Sequence, residues 1–207
     1  MTLFLFSTRQ CMLILLLFAS TCAISAAPSA HLQSAVRAMH RGDSPRAVKL
    51  LLRHAQRGDA EAQFLLVSAL QGRDPAQADR WLRAAADRKH PHAAQILGLK
   101  YLQGDGVAQD AALSVRWLRI AADGGIAEAQ LQLGIYYRNG PNAIQDDTQA
   151  AFWIGKAAEA GSAEAQYQFA QLHRFGYGVP TDAGESRKWL KRAAAQGHPL
   201  ASGALNE

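Results

Sequence analysis

His90-Pro91-His92 sets two imidazoles one residue apart, close enough in sequence to offer both to a single cation. A His-Pro pair recurs at His198-Pro199, again ahead of a helical pattern, which assigns the motif to helix entry and not to metal binding. Glu61, Glu128 and Glu164 are carboxylates at regularly recurring positions. General acid–base chemistry needs two such groups facing each other across a cleft. Equal positions on stacked units form a ladder instead, and a negative charge at the start of a helix opposes the positive end of its dipole. His173 stands where neighbouring units carry tyrosine and reads as a partly buried core histidine. There is no His-Glu-x-x-His and no Gly-x-Ser-x-Gly. The Gly-x-Gly pairs at 104–106 and 176–178 read as reversals, since no strand precedes them and no Lys-Ser or Lys-Thr follows. No catalytic residue, metal ligand or cofactor site is expected.

The ends and the composition narrow the class. Arg9 is followed by the apolar run 11–19 and then by the small residues of "STCAISAAPSA", the pattern of a secretory signal peptide over residues 1–26. The run is shorter than the ~20 residues of a membrane span. An uncleaved anchor and lipidation at Cys22 are the weaker readings. Cys11 and Cys22 both lie in this segment, so the mature chain is expected to hold no disulfide, thiol nucleophile or thiolate metal site. With 49% hydrophobic and 19% charged residues the chain can bury a core. Without Arg9 there are 21 basic and 17 acidic residues, a net charge of +4, spread without runs or basic–aromatic alternation. Nucleic acid is an improbable partner for such a chain, and membrane contact is at most peripheral.

What must position any functional group is a repeat. Tryptophans fall at 81, 117, 153 and 189, each 36 residues from the next. Ala121-Ala122, Ala157-Ala158 and Ala193-Ala194 follow their tryptophans by four and five residues, and Gly125, Gly161 and Gly197 follow by eight. A period of this size means stacked supersecondary units. Within one period Ala129, Leu133, Gly134 and Tyr137 share a face of a first helix, and Ala150, Trp153 and Ala157-Ala158 share a face of a second. Asp110, Asp146 and Asp182 precede the second helices as caps. Units of 90–125, 126–161 and 162–197 fit without insertion, and the unit 59–89 is five residues shorter. Residues 27–58 form a looser hairpin, and 198–207 begin a further first helix and stop. Pro141-Asn142-Ala143 departs from the Gly-x-Gly-Val turn of the other full-length units.

The stretches "AEAQLQLGIYYRNG" and "AAFWIGKAAEAGSAEAQ" resemble the Sel1-like repeat, a branch of the tetratricopeptide-like solenoids, and the resemblance covers 59–197. It implies an all-α, right-handed α-solenoid of about five helical hairpins. It also implies a scaffold or adaptor that binds a protein or peptide, here in a bacterial-type periplasm or outside the cell. Some secreted members of this class have been linked to penicillin binding or β-lactam hydrolysis, so a cell-wall hydrolase is the alternative. A structural subunit of an envelope assembly is the third reading, and the oligomeric state is open.

The face of each first helix opposite the packed seam gives the expected binding surface, the one that tends to be concave in such solenoids. It comprises Leu65 in the short unit, Ile96, Leu99 and Gln103 in the next, then Gln132, Ile135 and Asn139, and finally Gln168, Gln171 and Phe175. Ile96, Leu99, Ile135 and Phe175 are apolar where the repeat does not require it. They either pack against the next hairpin or present anchors to a partner. On the second helices Arg83, Arg116, Arg119, Lys156, Lys188 and Lys191 are expected to form a solvated outer face.

Overall fold

Most helices of this chain begin on a side chain that caps the first turn. In the computed structural model, which describes residues 29–140 and 145–205, Asp43, Asp59, Asp74, Asp110, Asp146 and Asp182 each accept a backbone N–H two or three residues ahead. The expected signal peptide, both cysteines and the Pro141-Asn142-Ala143 turn lie outside the described residues. Within them the chain is all-helical: a 3-10 turn at Ala30–Leu32 and eleven α-helices, with no strand. They are α1 (Gln33–His40), α2 (Ser44–Gln56), α3 (Ala60–Leu70), α4 (Pro75–Asp87), α5 (Pro91–Gln103), α6 (Ala111–Asp123), α7 (Ala127–Asn139), α8 (Asp147–Glu159), α9 (Ala163–Phe175), α10 (Ala183–Ala195) and α11 (Ala201–Ala204). None of the described helices is long and apolar enough to cross a membrane.

Consecutive helices pair as hairpins, and the hairpins stack into an α-solenoid. Each full-length hairpin is closed at its neck by one bond: the N–H of the capping aspartate donates to the last-turn carbonyl of Tyr101, Tyr137 or His173, at 2.9–3.0 Å. The turn glycines at 104, 106, 176 and 178 take positive φ, as the reversal requires. Gly178 carries a second constraint, because a Cβ there would sit 1.9 Å from the Asp147 carbonyl oxygen. The last turn is thereby wedged against the start of α8.

Joints between hairpins share another geometry. Ile126 N–H donates to Ala121 O and Gly125 N–H to Ala122 O, the paired bonds of a Schellman closure, and the same pair recurs at 54–59, 85–90, 157–162 and 193–198. The alanine pairs Ala85-Ala86, Ala121-Ala122 and Ala157-Ala158 at these joints are almost fully buried, as are Ala55, Ala193, Leu118, Leu133, Ile154 and Leu172. Small residues here let neighbouring helices approach closely. Buried side chains form two clusters, one running from Leu32 to Trp153 and the other from Leu131 to Ala201, and they overlap in α7 and α8.

Candidate functional site

Every joint is held by polar groups that recur with the repeat. Gln63, Gln130 and Gln166, all buried, donate from Nε2 to the carbonyls of Ala55, Ala122 and Ala158 at 2.9–3.2 Å. The histidines of the two His-Pro motifs lie on such joints. His90 caps α5: its Nδ1 accepts from Ala93 N–H at 3.3 Å, so its proton sits on Nε2, which meets Glu61 at 3.0 Å. Both ring nitrogens are engaged, and helix entry is what the structure assigns to this motif. Burial, with the neighbouring His90 imidazole, pushes the His92 pKa down, against the opposing pull of Glu61. At the last joint His198 Nε2 meets Glu164 at 2.9 Å and its ring stacks on Tyr167 at 4.5 Å. Burial alone would raise the Glu164 pKa, but hydrogen bonds from Gln168 and His198, with the charge of His198, outweigh it and hold the carboxyl below its ordinary value.

The second-helix cations are exposed, as expected, but two of them, Arg83 and Arg119, also reach aromatic side chains across a joint. Arg83 donates to the Tyr101 hydroxyl at 3.3 Å and Arg119 to that of Tyr137, while the Arg119 guanidinium lies 5.8 Å from the Trp153 ring centre. One period later both partners of this pair are absent, because Gly155 stands in the arginine position and His173 in the tyrosine position. Phe169 fills part of the space, and a shallow hollow opens there between Phe152, Lys156 and Val179.

The expected binding positions separate into groups. Leu65 is a correction: it is only 9% exposed and belongs to the first core cluster, so it presents little surface. Ile96 and Ile135 are half-buried and pack against the core clusters. Leu99 is half-buried, and Gln103 and Asn139 are exposed at the ends of α5 and α7. Gln132 and Gln168 each turn back to bond the glutamate one turn earlier, Glu128 and Glu164, at 2.9 and 2.8 Å. Only Gln171 and Phe175 converge on a groove, where Tyr167, Arg174 and Leu200 join them. Phe175 is 56% exposed and Leu200 60%. Tyr177 lies 5.9 Å from Phe175, and the guanidiniums of Arg138 and Arg174 stand 5.2 and 5.6 Å from these two rings.

Tyr167, Tyr177 and Leu200 were not among the residues expected from sequence. A signal for Leu200 was present: it falls 36 residues after Glu164, so an apolar side chain stands where three other units carry Glu61, Glu128 and Glu164 and one carries His92.

A family model described as Sel1 repeat matches residues 67–90, 91–126, 127–162 and 163–198. The chain belongs to the Sel1 repeat family. Among solved structures, the Sel1 repeat protein from Oxalobacter formigenes is 35% identical with a TM-score of 0.68, over 77% of this chain and 48% of that one. The protective antigen c5321 of uropathogenic Escherichia coli, described as displaying an SLR fold, is 34% identical with a TM-score of 0.68, over 76% of this chain and 35% of that one. This Sel1 repeat chain therefore spans less than half the length of either structure. No curated protein matches it. Repeats of the family are commonly non-enzymatic scaffolds for protein interaction.

Proposed function

We propose that this Sel1 repeat chain is an exported scaffold that binds a protein or peptide partner along its first-helix face, with its main anchor in the groove around Phe175. The groove carries this reading: two large apolar side chains, Phe175 and Leu200, stand more than half exposed beside Gln171 and Arg174. Exposed apolar groups rimmed by polar ones are what a partner's side chain can desolvate. Export rests on the N-terminal apolar run and the small residues after it.

The test uses the chain from residue 27 as bait in envelope extract, with capture compared between the parent and the Phe175→Asp and Leu99→Asp variants. Loss of an anchor of this kind costs about 2 kcal/mol or more, roughly thirtyfold in affinity. Phe175→Asp is expected to show that loss with unchanged helical content and melting. The loss from Leu99→Asp, whose side chain is already half-buried, is expected to be smaller. Capture that survives both substitutions would place the binding face elsewhere.

A further inference from the structure

At the first joint of the solenoid three side chains depart from the repeat together. His54 occupies the position held by alanine at the other four joints: Ala85, Ala121, Ala157 and Ala193. Those alanines are all fully buried, so packing asks for a methyl group there and does not explain an imidazole. Asp59, five residues on, caps α3, and His31 on the 3-10 turn meets it from the other side. His31 Nε2 lies 2.7 Å from Asp59 Oδ2, the His31 and His54 rings are 4.9 Å apart, and one ligand atom from each of the three residues falls within 4.8 Å of the others.

We propose that His31, His54 and Asp59 form a binding site for a divalent transition cation of the zinc type. Two neutral imidazoles and a carboxylate are a donor set that such cations accept, with water completing the coordination. Ligand atoms bound tetrahedrally at about 2.0–2.1 Å lie roughly 3.4 Å from one another. The His31–Asp59 pair opens slightly from its present contact to reach this spacing, and the His54 ring moves inward. The hydrogen bond between His31 Nε2 and Asp59 Oδ2 gives way to two metal bonds, and its proton passes to solvent from an imidazolium or moves to Nδ1 in the neutral ring, so that His31 ligates as a neutral imidazole.

Each donor sits on a fixed support. Leu32, beside His31, is fully buried, and so are Leu51 and Ala55 on either side of His54. The Schellman closure, with Asp59 N–H on the His54 carbonyl at 3.1 Å and Gly58 N–H on Ala55 O at 3.0 Å, sets the spacing of His54 and Asp59. Asp59 Oδ1 remains bonded to Ala62 N–H at 3.1 Å, which leaves Oδ2 directed at His31. The other histidine–carboxylate pairs of the solenoid, His90–Glu61 and His198–Glu164, have alanine where this joint has His54. Among the described residues, no other group of three donors comes as close.

Cobalt(II) titration of the untagged, chelator-stripped chain, followed by zinc competition, tests the site. The expected result is one equivalent of cobalt with the visible absorption of a four-coordinate ion, displaced by zinc. Changes outside the ligand shell already cost 10- to 100-fold in metal affinity, so removing a ligand should cost at least about 100-fold. His54→Ala installs the residue of every other joint and is expected to keep the fold while losing binding. Asp59→Asn keeps a capping oxygen and is expected to lose binding as well. His40→Ala, an exposed histidine away from the cluster, should leave affinity unchanged. Absence of four-coordinate cobalt, or affinity that survives His54→Ala or falls instead in His92→Ala, would overturn the assignment.

Discussion

The three joint glutamines differ in how completely their amides are used, and that difference decides what each is worth. Gln130 donates to the Ala122 carbonyl, but its own buried Oε1 has no partner. Gln63 is in the same state. Gln166 donates to Ala158 and also accepts from Gln196 Nε2 at 2.8 Å. A buried acceptor left unpaired costs free energy that offsets the bond made at the other end of the amide. Gln166→Ala should therefore destabilise by about 1 kcal/mol more than Gln130→Ala, since a net hydrogen bond contributes about that much. Urea unfolding of the two variants against the parent measures the difference. Equal losses would mean that the Gln196 bond contributes nothing in solution.

At the scale of the element, two of the first helices, α5 and α7, owe their close packing to one missing side chain each, at Gly98 and Gly134. A Cβ on Gly134 would meet Ile154 Cγ1 at 2.5 Å and the Ala150 carbonyl oxygen at 3.1 Å. The clash with backbone is the harder one to relieve, because α8 would have to move away. Alanine gains about 1 kcal/mol of helix propensity over glycine, while overpacking typically costs 1–3 kcal/mol. Gly134→Ala is thus expected to destabilise by up to about 2 kcal/mol, visible as a lowered thermal midpoint; a raised midpoint would refute the close approach. Hairpins, caps and joints were legible beforehand because each is set by local residues repeated every 36 positions, such as Trp117, Gly125 and Asp110. The binding face was legible only in part. Helical periodicity places Leu65 opposite the seam, yet cannot show that the core reaches round to cover it. Phe175 could be read as apolar at an outward position, but its neighbour Leu200 comes from the following unit. The His31, His54 and Asp59 cluster joins residues 28 apart across a turn, a proximity that periodicity does not report.

For the whole molecule, a solenoid has no contacts between distant units, so its stability is approximately a sum of unit and nearest-neighbour terms. The two core clusters meet only around α7 and α8, with Trp117 in the first and Trp189 in the second. These tryptophans report on opposite sides of that boundary. Leu172 is fully buried in the second cluster, and truncating such a residue to alanine costs about 2–5 kcal/mol. In chains that keep only Trp117 or only Trp189, with the other tryptophans changed to phenylalanine, Leu172→Ala is expected to lower the urea midpoint seen by Trp189. The midpoint seen by Trp117 should move much less. Equal shifts at both probes would instead show the units unfolding as one. The proposed groove depends on this result, because Gln171 and Phe175 lie on the helix that carries Leu172, and Leu200 lies just beyond it. If the last units open separately, the groove is lost before the rest of the solenoid, and an occupant of the groove should raise the Trp189 midpoint while leaving that of Trp117 nearly unchanged.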